Sequence, residues 1–470
     1  MRRRILGGLV ACLALLSCGK DPVFGDLASA VRLVETGNVL RYEVEVDLRG
    51  DVAFPVLYLR PAGGEWQAHS SCIKTGGKLV FPIMFLYPST DYEFYVNLVD
   101  DPGFSVFKTP KSVASDPQTF RTRSLPPEVP VYQVTVDKGG PESGYLLQWQ
   151  ATSPGWITFC DMQGRVVWYE PFDQAVRHVH FDGSELAVLT GFREGVNSPK
   201  FQRLCDRIIV LDLMGHRSID WLASEENVPY PHHDIRLMAD GNLLIFNAVV
   251  KNFDLTSLEG GADVPLWGDG FTILDRTGAK VRSWDVFSVL DPLRDTWLDP
   301  LNLDFDLLHG NSVNTDSEGD FYLTFNRYSE LWKVDGLHGG TLWRLGEHGD
   351  VTLDGKLPVG GLHSAVPLDP DRVLVYNNGA GASRAQIYRV NSSSKTASLE
   401  LDVELSPEYS SADRSNVELL TGADGVPRYL MFASTLARAC VFTDMKGNVV
   451  KVVQRTGIAY RSHYFWDVFY

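Results

Sequence analysis

Three histidines stand at matching distances ahead of turn aspartates. His233 lies seven residues before Asp240, His309 seven before Asp316, and His363 six before Asp369. A neutral imidazole can act as nucleophile, proton carrier or metal ligand, so three in register suggest one shared centre. For any one of them alone, a satisfied core or loop histidine is the plainer reading. Asn311 follows His309 by two residues, and Arg327 lies within Phe325-Asn326-Arg327-Tyr328. Together these side chains suit a tetrahedral anion. Its nonbridging oxygens repel an anionic nucleophile but admit an imidazole nitrogen, and Arg327 offers a planar fork of permanent donors beside the uncharged Asn311. A second imidazole can then serve as acid and base, a role open to both His309 and His233. Zinc fits less well, because a catalytic zinc site backs its imidazoles with carboxylates and only Asp234 is adjacent in sequence.

Such residues need elements that bring distant segments together. Six segments share a β run, an Asp or Asn, a turn and a second β run, with anchors at Asp161, Asp212, Asp275, Asp335, Asn391 and Asp444 spaced 51, 63, 60, 56 and 53 apart. Between them recur Gly/Asp turns followed by an apolar strand, as at Asp182, Asp240, Asp316, Asp369 and Asp424. Four strands per period predict an all-β, six-bladed β-propeller over 131–470, with equivalent positions on successive blades meeting at the axis. The histidines then line the mouth of the central channel.

Ahead of the repeats, Leu40, Tyr42, Val44, Val46 and Leu48 alternate with Arg41, Glu43, Glu45 and Asp47. This predicts a strand wet on one face. With further strands at 55–59, 78–85 and 92–99 and a closing segment at Phe120, residues 29–124 are expected to form a small fibronectin type III or Ig-like β-sandwich. A proline-rich linker, 125–130, separates it from the repeats. Arg2, Arg3 and Arg4 followed by an apolar run to Leu16 and then Ser17-Cys18 predict a lipoprotein signal peptide at 1–17, lipidation at Cys18 and a tether at 18–28. The expected location is the cell envelope, periplasmic or outer membrane, with the membrane reached through the N-terminal lipid. The formal charge of −16 and the absence of Lys/Arg clusters argue against a nucleic-acid partner. Cys72, Cys160, Cys205 and Cys440 contain no CxxC pair, and an oxidising envelope permits disulfides without demanding them. Gly339-Gly340 and Gly360-Gly361 lack the lysine and helix of a nucleotide loop.

The words His232-His233-Asp234-Ile235, His309-Gly310-Asn311-Ser312, Leu362-His363-Ser364-Ala365 and Asn377-Asn378-Gly379 ahead of Ser383-Arg384 make the chain resemble the bacterial arylsulfate sulfotransferases. The resemblance implies transfer of a sulfuryl group from a phenolic sulfate donor to a phenol acceptor, without a nucleotide donor or other cofactor. It implies His363 as nucleophile through a sulfohistidine, His233 rather than His232 at the His-His-Asp word, and site positions at His309, Asn311 and Arg327. Asn377 stands where the family has aspartate, which leaves its role and that of Arg384 open. The segment 416–433 matches poorly, and no site residue is transferred there. Oligomeric state stays open, a homodimer included. The rival reading is a non-catalytic surface propeller binding glycans, sulfated ligands or proteins. A pH profile separates them, because an imidazole nucleophile must be deprotonated and activity is expected to fall below the usual histidine range.

Overall fold

The computed structural model describes residues 22–100, 111–199, 204–304, 306–355, 360–379 and 381–468. The signal peptide and Cys18 lie outside the described residues. The fold is all-β, built from antiparallel sheets, and the chain divides into two compact units.

The first unit takes in the chain up to Asn38, Tyr42–Ile83 and Ser89–Thr122. One sheet runs Ala28–Glu35, Tyr42–Leu48, Lys78–Ile83, Ile73–Thr75. The other runs Gln67–His69, Val52–Pro61, Asp91–Asp100, Ser112–Ala114, with Gln118–Arg121 also on Asp91–Asp100. Tyr42, Val44 and Val46 are buried while Glu43 and Glu45 are partly exposed, as the alternation requires. The three-residue strands at Gln67, Ile73 and Ser112 are too short to show a period of two.

The second unit takes in Val39–Arg41, Met84–Pro88 and the chain from Arg123 on. Among its described residues are six sheets, each holding an antiparallel up-and-down run of four strands; in one of them Thr352–Asp354 adds a fifth strand, parallel to Thr396–Glu404. The first strands of these runs are Ser462–Phe465, Val176–Phe181, Pro231–Leu237, Gly310–Thr315, Leu362–Asp369 and Asn416–Thr421. All six anchors take the same place, the turn between the third and fourth strands. There the Asp or Asn side chain accepts backbone N–H groups, as Asp161 does from Gln163 and Arg165, Asp275 from Thr277 and Ala279, and Asp444 from Lys446 and Asn448. This local bond is why Asp and Asn hold the position: it satisfies turn donors that the ladder leaves open.

Both ends of the unit are tied in. Tyr132–Asp137 pairs with Val449–Arg455, and Ser462–Phe465 pairs with Tyr145–Trp149, so the first and last sheets are each completed by a strand from the opposite end. Neighbouring sheets are glued by aromatic side chains. Phe246, Phe271 and Trp284 of one sheet share a core with Phe321, Phe325 and Trp332 of the next, and Phe271 meets Phe321 at 4.1 Å between ring centroids. Each such side chain, fully buried, contributes roughly 1.5–3 kcal/mol. Of the described cysteines, Cys160, Cys205 and Cys440 are buried and Cys72 is partly exposed.

Where the first strands begin, four of them break register. The irregularities fall at Val176/His178, Pro231/Ile235, Gly310/Ser312 and His363/Ala365. A bulge re-aims the side chains around it. The backbone is left-handed at His233 (φ 57°), His309 (φ 56°), Ser364 (φ 69°), Arg414 (φ 56°) and Ser415 (φ 82°). Such conformations are costly for residues other than glycine and cluster where function requires them.

Candidate active site

These re-aimed side chains border one cavity of about 700 Å³, with His233, His309 and His363 all in its wall. Arg327 and Asn326 join them from the turn after the strand Phe321–Phe325, and Arg177 from the bulge in the strand Val176–Phe181. Asp413, Arg414, Ile458 and Tyr460 come from the C-terminal part of the chain, and Phe192 adds an aromatic wall.

His363 is held in one tautomer. Asn378 donates through Nδ2 to the carbonyls of Ser411 (2.7 Å) and Arg414 (3.2 Å), which turns its Oδ1 toward His363 Nδ1 at 2.6 Å. The Nδ1 of His363 therefore carries the proton, and Nε2 keeps its lone pair, accepting a 3.2 Å hydrogen bond from the Arg414 backbone N–H. Burial pushes the ring down to about 3, against the opposing effect of the hydrogen bond it donates to Asn378, so it is neutral across the physiological range. Asn378 was quoted in the sequence only as part of a motif. Asn378→Ala is expected to lower kcat roughly 10- to 100-fold with little change in KM, the scale on which a group orienting a functional imidazole acts. Steady-state kinetics beside an unchanged melting temperature checks it.

His309 has the opposite environment. Its Nδ1 faces Asp306 at 3.1 and 3.2 Å, and that carboxylate is completely buried. Burial acts against the charged ring, but the charge and hydrogen bond of Asp306, with Asp269 behind, outweigh it and raise the pKa. His233 differs again. Its Nδ1 meets His232 Nδ1 at 2.7 Å, and burial holds its pKa well below the ordinary value. His232 is fully buried behind it, with Nε2 3.5 Å from Asp269, and is absent from the cavity wall. With the His232 proton on the side of Asp269, His233 donates through Nδ1 and presents an Nε2 lone pair. The three rings thus offer a neutral nucleophile, a proton donor and an acceptor. The rings of His233 and His309 stand 5.4 Å apart, and Tyr460 lies between His233 and His363 at 5.7 and 6.4 Å.

The sequence-based assignment of Asn311 needs correction. Asn311 does not face the cavity: Nδ2 donates to the Leu362 carbonyl at 2.6 Å, Oδ1 accepts from Thr324 at 2.7 Å, and the residue is wholly buried. With both ends of its amide engaged, it ties the strand following His309 to the strand bearing His363. Asn377 is likewise turned inward, bonded to Gln386 and to the backbone of Gly379. Arg384 is paired with Asp402 and Glu404 and is not in the cavity wall. Arg327 does line the cavity, donating to the Asp306 carbonyl at 3.0 Å and to Asp299 at 3.3 Å.

Beneath the rings lies a buried ion pair absent from the sequence reading. Arg461 reaches from the C-terminal segment to Asp234 at 3.0 Å and to the Asn311 carbonyl at 2.6 Å, while Asp234 also meets His178 Nε2 at 2.8 Å. A buried guanidinium is tolerated only when paired in this way, and the pairing locks the His233 and His309 strands to the chain terminus. The one acidic group with metal-ligand spacing among the described residues is Asp316, Glu318 and Asp320, where the Lys333 ammonium already sits 2.8 Å from Asp316 and 3.2 Å from Asp320.

A family model described as arylsulfotransferase (ASST) matches residues 131–439, from the first strand of the second unit into its last sheet. The chain belongs to the arylsulfotransferase family. Family membership makes it a sulfotransferase. No curated protein matches it. Among solved structures, a Bacteroides caccae protein of unknown function is similar at 13% identity, covering 69% of this chain and 100% of that one with a TM-score of 0.42. YCF48 from Cyanidioschyzon merolae (10% identity, 69% and 88% covered, TM-score 0.35) and BamB from Moraxella catarrhalis (12%, 70% and 92%, TM-score 0.30) are also similar.

Proposed function

We propose that this arylsulfotransferase moves a sulfuryl group from an aryl sulfate to a phenol through a sulfohistidine on His363, with no nucleotide donor. The observation that carries the reading is the His363 ring, buried and neutral, with Asn378 fixing the proton on Nδ1 and the Nε2 lone pair at the cavity. The six sheets are read as blades of a six-bladed propeller, the histidine strands lining its mouth, and the first unit as a β-sandwich.

In the first half-reaction His363 Nε2 attacks sulfur, the S–O bond to the aryl group breaks, and His309 passes a proton to the departing phenolate. Arg327 and Arg414 donate to the sulfuryl oxygens as charge spreads onto them. The Arg414 backbone N–H, which holds Nε2 before substrate arrives, is then beside the transferred group. In the second half the acceptor phenol gives its proton to the now neutral His309, and its oxygen attacks sulfur, releasing His363. His233, held as an acceptor, suits the incoming hydroxyl.

These environments set the pH dependence. His363 is neutral well below pH 6, so it causes no loss of rate there, unlike the profile expected of an ordinary histidine. His309 has a raised pKa, so its proton is present at lower pH and is lost as pH rises through that value. Transfer from esters of weakly acidic phenols is therefore expected to decline on the alkaline side, with no acid limb from a histidine. Rates from pH 5 to 9 check this, and an acid limb near 6.5 would contradict the account of His363.

We also infer that Cys18 is lipidated and holds the protein at the cell envelope, on the strength of the arginines, apolar run and Ser17-Cys18. Cys18→Ala is expected to move the protein from the membrane to the soluble fraction; an unchanged membrane fraction would contradict it.

A further inference from the structure

Asn311, the uncharged donor expected beside Arg327, is engaged inside the wall, with both ends of its amide bonded. The cavity wall holds another amide next to Arg327, that of Asn326. The Asn326 backbone N–H donates to the His309 carbonyl at 2.9 Å, and its own carbonyl accepts from the Ser329 N–H at 3.2 Å. The Ser329 hydroxyl in turn accepts from the Gly361 N–H at 2.9 Å, two residues before His363. The turn is thereby tied to both histidine segments. Its side chain reaches His363, with Nδ2 standing 3.4 Å from Nδ1 of that ring. That nitrogen carries the proton given to Asn378, so it cannot accept, and two donors face each other. Among the described residues the Asn326 amide makes no other side-chain hydrogen bond. Gly361 leaves room for it. A Cβ there would stand 2.3 Å from Asn326 Nδ2, and the Gly361 backbone is left-handed at φ 88°.

A fixed donor with no acceptor in the resting site suits transfer chemistry, because nothing has to reorganise when negative charge appears beside it. Sulfur bonded to His363 Nε2 brings three nonbridging oxygens to the same ring. Arg327 and Arg414 serve two of them, which leaves one for a neutral group. We infer that Asn326 is a catalytic residue whose Nδ2 donates to a nonbridging sulfuryl oxygen as the group passes to and from His363. No bond to Asn326 forms or breaks, and its protons stay in place. The oxygen it touches remains on sulfur throughout, so one contact serves both half-reactions. An amide carries no charge that would hold the ester tightly in the ground state, so its effect falls on turnover rather than on affinity.

The inference rests on the sulfuryl-transfer reading and is tested by steady-state kinetics of the full-length protein with 4-nitrophenyl sulfate and a phenol acceptor. Asn326→Ala is expected to lower kcat about 10²- to 10³-fold, the usual loss for one such donor, with KM within about threefold of wild type and an unchanged melting temperature. Asn326→Asp keeps the shape, but a carboxylate only accepts. It should be as slow at pH 8. Its rate relative to wild type should then rise about tenfold per pH unit from pH 7 to 5, because protonation of a carboxyl with an ordinary pKa of about 4 restores a donor. A residue that only props the turn would show no such rescue. A kcat within about twofold of wild type in Asn326→Ala, a loss confined to KM, or an Asn326→Asp rate that runs parallel to wild type with pH would overturn the inference. The near-isosteric Asp variant gives a result even if Asn326→Ala disturbs the turn. Intact-protein mass after exposure to the ester keeps the two readings apart. A sulfuryl group on His363 beside full activity in Asn326→Ala sinks only the donor role, whereas the expected losses with no group ever on His363 support the donor and sink only the sulfohistidine.

Discussion

His363→Ala is expected to reduce aryl sulfate turnover to the uncatalysed background. The variant loses the neutral ring whose proton Asn378 fixes on Nδ1 and whose Nε2 lies at the cavity, leaving His309 tied to Asp306 and His233 to His232. A residual rate from oriented binding would be small, because both half-reactions pass through the same atom. The check is release of phenol from an aryl sulfate with and without acceptor. Substantial turnover in this variant, beside a normal melting temperature, would move the nucleophile elsewhere.

His309→Ala should cost about 10²- to 10⁴-fold, the usual contribution of a positioned acid or base. The size of the loss should depend on the leaving group. An ester of an acidic phenol needs little protonation, so the variant should still form the intermediate from it. An ester of a weakly acidic phenol should be nearly inert. Removing Asp306 instead, as Asp306→Asn, leaves the ring but withdraws the charge that raises its pKa, so the alkaline decline should move to lower pH. Equal losses for good and poor leaving groups would remove His309 from the proton-transfer role.

The repeat was legible because its signal is local. Asp161, Asp212, Asp275, Asp335, Asn391 and Asp444 bind the backbone of their own turns, so residue type and spacing report the turn directly. The three histidines were found by counting back from neighbouring turns. Most of the polar groups behind them were not, because they act between segments far apart in the chain. Asp306 precedes His309 by only three residues but sits in a segment without a period. Asn378 looks in sequence like its neighbour Asn377, and only the carbonyls of Ser411 and Arg414 decide which of the two reaches His363. Arg414, Tyr460 and Arg461 lie in a stretch matching no quoted motif, and their proximity depends on the closing strand Ser462–Phe465 returning to the first sheet. Asn311 shows the converse: a residue of suitable chemistry at the right spacing whose donors are used inside the wall.

The central claim is that sulfur becomes bonded to His363 Nε2. Brief exposure of the intact protein to an aryl sulfate in the absence of any phenol acceptor, followed by mass measurement and peptide mapping, tests it directly. The account predicts one acid-labile sulfuryl group per chain, located on the peptide containing His363, discharged by added phenol and absent from His363→Ala. A wild type that turns over the ester without ever carrying the group, or an adduct that persists in His363→Ala, would contradict it.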